Sequence, residues 1–236
     1  MKIMKTLKFI TLLIVLTGIA FTSCKKDPSS TSLEVKINAI NNSFPILKAT
    51  SATTPSLVWD TCFMNVSKIN LEAEIKENET STVATKIDYN WKGLKKIDLF
   101  SVNSIIGNII LTPGLYDKIS LKISAYKADV GTSPVFYLSG NYKNANGINI
   151  PIIVIVNENL EFKIAKDDTK LNAIYNYSSM LKLNLTLLMS NILQSELDGA
   201  LLSNGKIVIS TSSNSSLLVK IKGNFLSSGD SEFKQK

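Results

Sequence analysis

Ile69-Asn70-Leu71-Glu72-Ala73-Glu74-Ile75-Lys76 alternates apolar and polar residues without a break. Successive side chains of a β-strand point to opposite faces, so a run of this period buries one face of a sheet and wets the other. Leu33, Val35, Ile37 and Ala39 alternate in the same way with Glu34, Lys36 and Asn38. The pattern recurs in Ile87, Tyr89 and Trp91, in Ile119, Leu121 and Ile123, in Leu160, Phe162 and Ile164, and in Leu181, Leu183, Leu185 and Leu187. Residues 148–156 are almost continuously apolar and read as a strand buried on both faces, with Pro151 placing it near a bulge or an edge. Residues 135–138 and 206–210 are shorter strand candidates.

Turn chemistry agrees with these boundaries. Thr112-Pro113-Gly114-Leu115 fits a type II turn, because Pro presets the first central dihedral and Gly accepts a positive one. Asn146-Gly147 and Asn204-Gly205 are further reversals, and 50–55 reads as a surface loop. Helix signals are confined to the C-terminal third. Ile192, Leu193, Leu197, Ala200 and Leu201 have near-helical spacing, and 217–226 fits helix or strand. Many short strands with few helices predict an all-β, antiparallel β-sandwich with one or two short helices near the C-terminus.

The composition removes much chemistry. The chain has 236 residues, 44% of them hydrophobic, with 26 basic against 19 acidic residues and a formal charge of +7. Every basic residue is Lys; there is no Arg and no His. No imidazole is present to act as general base, to activate a Ser or Cys, or to ligate zinc. No guanidinium fork is present to grip phosphate or guanine.

The first 23 residues read as a signal peptide: Lys2, Lys5 and Lys8, an apolar run from Phe9 to Phe21, then Thr22, Ser23 and Cys24. The run has 13 residues, whereas a membrane-crossing helix needs about 20. Two cleavage sites compete, one after Ala20 and one immediately before Cys24. The second resembles a bacterial lipobox, with Phe21 where Leu is usual, and Ser23-Cys24-Lys25-Lys26-Asp27 looks like the start of many Bacteroidetes-type lipoproteins. That resemblance implies lipidation of Cys24 with a diacylglyceryl thioether and an amide-linked acyl chain. With two or more chains, such a protein stays on its membrane. Lys25 points to the outer membrane by analogy, with the leaflet left open. Loss of the leader takes three Lys with it and leaves a charge of +4. Residues 24–32 then form a polar, flexible tether, 33–230 a single domain and 231–236 a tail.

Trp91-Lys92-Gly93-Leu94 leading into Ile97-Asp98-Leu99-Phe100, followed by Pro113-Gly114-Leu115-Tyr116-Asp117-Lys118-Ile119-Ser120-Leu121, resembles the central signature of bacterial lipoproteins grouped as domain of unknown function 4382. The likeness covers roughly 66–187 and implies a transthyretin-like (prealbumin-like) β-sandwich. It brings no catalytic residues. In it Gly114 supplies the turn, and Tyr116 lends its ring to the core and its hydroxyl to a loop carbonyl. Trp91 is expected in the core. Residues 41–59 look like an insertion.

Few residues suggest a reaction. Glu72 and Glu74 project the same way from one exposed strand, whereas glycosidase carboxylates face each other across a cleft. Asp167 and Asp168, with Glu158 and Glu161 upstream, lack the spaced ligands of a calcium loop and sit beside Lys166 and Lys170. The glycines are too dispersed for a phosphate cradle. Lys36, Lys76, Lys118, Lys122, Lys163 and Lys182 alternate with apolar neighbours as on solvated strand faces, not as a nucleic-acid stripe. Cys62 in Trp59-Asp60-Thr61-Cys62-Phe63-Met64 reads as a small buried hydrophobe. The expectation is therefore a non-enzymatic, lipid-anchored envelope module for binding, adhesion or assembly, with no cofactor, metal or nucleic acid. Its partners would be the membrane through acylated Cys24 and a glycan or another envelope protein. The alternative is a glycan-processing hydrolase or glycan-binding protein whose acids converge only in the fold.

Overall fold

The computed structural model describes residues 30–46 and 55–236. The described chain is mostly strand, arranged as two packed sheets over one hydrophobic core, so the all-β sandwich is what forms. β1 (Thr31–Ile40), β5 (Ile105–Leu111), β10 (Tyr177–Asn184) and β13 (Gly229–Gln235) make a four-stranded sheet in the order β13-β10-β1-β5. The larger sheet is organised around β3 (Ser56–Lys76). β4 (Ala84–Asp98) runs along one edge of β3, with β2 (Ser43–Pro45) against its first residues. On the other edge β3 pairs first with β7 (Phe136–Lys143) and then with β6 (Gly114–Ala125). From there the sheet forks, one arm adding β9 (Leu160–Leu171) and the other β8 (Asn149–Val156), β12 (Lys206–Ile209) and β11 (Leu202–Ser203).

The length of β3 was hidden from a period-two reading by two bulges. Its buried residues run Leu57 and Trp59, then Cys62 and Met64, then Ile69, Leu71 and Ala73. The phase changes where register slips, at Trp59/Thr61 against β7 and at Val66/Lys68 against β4. Each extra residue turns the following side chains to the other face, so a strand that stays buried shows a broken alternation. Gly140 of β7 sits against the first bulge, where a Cβ would lie 2.0 Å from the Val58 carbonyl oxygen. No side chain fits there.

Between the sheets Leu33, Val35 and Ile37 of β1, Ile109 of β5 and Leu183 of β10 join Leu71, Leu121 and Ile123 of the larger sheet in the buried core. α4 (Ser215–Ser228) buries Leu217, Leu218, Ile221 and Phe225. The Phe225 ring meets Phe136 edge-on at 5.1 Å and Phe162 at 6.4 Å, which closes the core over the fork.

Several expectations are corrected. Pairing is mostly antiparallel, but β1 lies parallel to β10 and β8 parallel to β12. The strand through Leu187 stops at Asn184, and Leu185–Leu188 is a one-turn helix, α2. α3 (Gln194–Asp198) lies within the stretch of near-helical spacing from Ile192 to Leu201, but Leu202 already begins a hairpin closed by Asn204 and Gly205, both at positive φ. α4 settles 217–226 as helix, and a further short helix, α1 (Lys127–Val130), follows β6, so three helices rather than one or two lie in the C-terminal part. The last residues form β13 rather than a tail, and Thr31 and Ser32 belong to β1 rather than to the tether. β8 is interior and its faces alternate in burial. Pro151 is tolerated because β12 begins pairing only at Ile152, so its missing N–H removes no ladder bond on that side. The loop expected at 50–55 lies outside the described residues except for Pro55. No helix among the described residues is long and apolar enough to cross a membrane.

Candidate functional site

Tyr116 is fully buried, and its hydroxyl donates to the Thr112 carbonyl at 2.7 Å, locking the turn between β5 and β6. Burial pushes that hydroxyl up to about 12. Gly114 serves the turn in two ways. Its φ of +159° is one that L side chains rarely adopt, and it supplies room, because a Cβ would lie 2.6 Å from the Ile75 Cδ1. Trp91 is only half-buried on the edge strand β4, where its ring lies over Gly93; Trp59 is the tryptophan at the centre of the core. Cys62 is a free, buried thiol, raised well above its ordinary value by burial and then by Asp98.

The acids singled out by sequence do not assemble. Glu72 lies across from Ser120 and Asp88, while Glu74 lies between Lys86 and Lys118. Asp167 is opposite Lys118, and Glu158 pairs with Lys222. Glu161 meets Lys122 at 2.9 Å and the Tyr126 hydroxyl at 2.5 Å, and these two hold its carboxyl below the usual range. Glu72, Lys122 and Glu161 border a shallow charged groove of about 350 Å³. Every carboxyl with a resolved shift moves down. Glu196 and Glu232 do so through lysine hydrogen bonds, and Glu34 does so because Lys236 and Lys36 overcome the upward push of burial. Among the described residues no group of three or more Cys, Asp or Glu is close enough to hold a metal ion.

A second groove has a different character. It is framed where β1 ends. Asn184, opposite Ile40 in the register, accepts from the backbone N–H groups of Thr186 and Leu187 at 3.0 and 3.3 Å and from Asn41 Nδ2 at 3.1 Å. An Asn side chain that satisfies the free N–H groups of a first helical turn ends the strand and starts a helix. α2 therefore turns Leu185 and Leu188 inward and leaves Leu187 45% exposed. Phe44, Leu57, Leu187, Met189, Ile192 and Leu197 line a groove of about 270 Å³. Among the described residues its only polar lining is Thr186 and Ser190, and none of those bordering it is charged.

The frame around this groove is polar and well connected. Tyr142, opposite Leu57 on β7, donates from its hydroxyl to Asp198 Oδ1 at 2.7 Å and so fixes the end of α3. Glu196 accepts from the Leu193 backbone N–H at 3.0 Å and from Lys220 of α4 at 2.7 Å on both oxygens. An uncharged groove held in a hydrogen-bonded rim accepts an apolar group and excludes an ion, because nothing in it replaces an ion's hydration.

Sequence assigns Leu187, Ile192 and Leu197 to packing patterns and none of the groove residues to a site. Phe44 and Leu57 lie in the expected insertion, and Leu187 was placed on a strand. The available signal was Asn184-Leu185-Thr186, a helix cap embedded in an alternating run. Cys24 lies outside the described residues. No family model matches this chain, and no curated protein or solved structure matches it.

Proposed function

We propose that this chain is an outer-membrane lipoprotein, anchored through acylated Cys24 and related to the domain of unknown function 4382 group. It acts as a non-enzymatic binding or assembly module whose ligand surface is the apolar groove between β2, β3, α2 and α3. The observation that carries the reading is the placement of the groove at the end of β1 opposite Thr31, the end at which the chain arrives from Cys24. Thr31 begins β1 at the anchored end, and Ile40 ends it beside Asn184 at the groove. A strand of 10 residues spans roughly 30 Å. The groove therefore faces away from the bilayer.

Two further observations support a binder over a hydrolase or nucleic-acid protein. The carboxyls with resolved shifts are lowered, the opposite of what a general acid at neutral pH needs. Lys36, Lys76, Lys122 and Lys182 each face a carboxylate within 3 Å, which leaves them poor phosphate ligands.

The anchor is tested by labelling cells with palmitate. Label should enter the native chain and disappear in Cys24→Ser, which should leave the membrane fraction; retention of Cys24→Ser on membranes sinks the anchor. The groove is tested on intact cells with a photo-reactive benzoyl-phenylalanine at position 187. It should form a defined adduct with one envelope component that the same probe at Val102, 94% exposed, does not form. Indistinguishable adducts from the two positions would remove the groove as the binding surface.

A further inference from the structure

Exposed apolar side chains crowd around the place where β1 receives the chain from Cys24. Ile110 on β5 is 68% exposed and lies directly across from Ser32. On the other side of β1, Ile174 in the loop before β10 is 70% exposed. This loop is held rigidly to the first residues of β1. The Thr31 hydroxyl donates to the Tyr175 carbonyl at 2.6 Å, the Ser32 hydroxyl to Asn176 Oδ1 at 2.9 Å, and the Ile174 N–H to Asn172 Oδ1 at 3.2 Å. Two isoleucines thus flank the attachment point, Ile110 on the β5 side of β1 and Ile174 in the loop that leads into β10 on the other.

The length of chain outside the described body says what covers them. Seven residue steps separate Cys24 from Thr31, and seven steps reach at most about 25 Å whatever their conformation. With acyl chains in the bilayer, Ile110 and Ile174 are confined to the neighbourhood of the lipid surface. We infer that this end of the sandwich is a membrane-contact surface, in which Ile110 and Ile174 enter the headgroup region and orient the body with its distal groove outward. The inference rests on the anchored reading above.

The contact is apolar in character. Among the described residues, lysines near this end face carboxylates: Lys236 meets Glu34 at 2.5 Å, Lys76 meets Asp117 at 2.5 Å and Lys170 meets Glu79 at 3.6 Å. The isoleucine contact itself, being apolar, should be insensitive to salt. Two side chains alone do not hold a protein on a bilayer. The anchor makes their insertion effectively intramolecular, so a weak contact suffices to set orientation.

The test uses lipidated full-length protein in vesicles of phosphatidylethanolamine and phosphatidylglycerol. Ile174→Cys carries a polarity-sensitive fluorophore; Cys62 is buried and does not compete for the label. Val102→Cys, in the loop beyond β4 whose Leu99 carbonyl accepts from Ala39 near the far end of β1, is the control. Nitroxide lipid should quench the 174 label at least about threefold, since interfacial side chains sit about 5–10 Å into the headgroup and acyl boundary. The 102 label should be unaffected, and the result should be the same in dilute and concentrated salt. Equal, weak quenching at both positions, with the protein still pelleting with vesicles, overturns the contact and leaves the anchor standing. A blue-shifted 174 label without nitroxide quenching means that a second copy covers the patch, and overturns the bilayer as occupant. Protein in the supernatant overturns both readings.

Discussion

The Tyr142 hydroxyl donates to Asp198 at 2.7 Å, joining β7, the strand that pairs with β3 at the fork, to the helix that walls the apolar groove. Burial, reinforced by the Asp198 carboxylate, raises this hydroxyl above its ordinary range, so it is a donor at neutral pH. Tyr142→Phe keeps the ring in the core and removes the donor. It should destabilise the protein by about 1.5 kcal/mol, the range for a hydrogen bond to a charged acceptor, measured as a lower urea midpoint at unchanged m-value. Unchanged stability would mean that α3 is held by apolar contacts alone.

Glu196 links the groove to acid stability. Its carboxyl is held below 4.5 by Lys220 and by the Leu193 N–H. A carboxyl lowered in the folded state contributes stability that is complete above its unfolded value and is lost as pH falls through the folded one. Glu196→Gln should therefore lower stability at neutral pH and flatten its decline below about pH 4.5. Urea unfolding at a series of pH values checks both effects; parallel profiles for the two proteins contradict the linkage.

Two glycines should respond in opposite directions to the same substitution. Gly140→Ala drives a methyl into the Val58 carbonyl and forces β7 away from β3. It should cost more than about 3 kcal/mol, at the severe end of single substitutions. Gly223, within α4, has open space around its missing Cβ. Gly223→Ala should raise stability by about 0.5–1 kcal/mol through helix propensity. Thermal unfolding of the pair reads out both signs.

Thiol counting tests burial and lipidation together. Cys62 is buried and its thiol is raised well above 9.0, so Ellman's reagent should find no reactive thiol in the native protein. After unfolding, the chain should show one thiol if a thioether occupies Cys24 as proposed. Two thiols would mean that Cys24 is unmodified.

The parts of the fold legible in sequence were those in which a strand keeps one face buried for its whole length. β1, the second half of β3 and the middle of β6 follow the period-two pattern residue by residue. Illegible parts have specific causes. The first half of β3 carries bulges that shift the phase. β5 begins with two isoleucines of which Ile106 is buried and Ile105 only partly, and Gly107 follows, so its alternation is blurred. β13 is polar and forms because β10 offers it an edge. The groove was missed because its residues come from β2, β3, α2 and α3, and no local pattern connects them.

By itself the sequence determined the class of fold, the reversals at Asn-Gly pairs and the absence of imidazole and guanidinium chemistry, because these depend on periodicity, local dihedral preference and residue type. Only the tertiary structure decided that β1 runs parallel to β10, that Glu72 and Glu161 share a shallow groove with Lys122 in which Glu161 is ion-paired, and that an apolar groove forms beside the end of β1 opposite Thr31. Those features arise from contacts between residues distant in the chain. Their energies depend on burial and proximity, which a linear pattern does not contain.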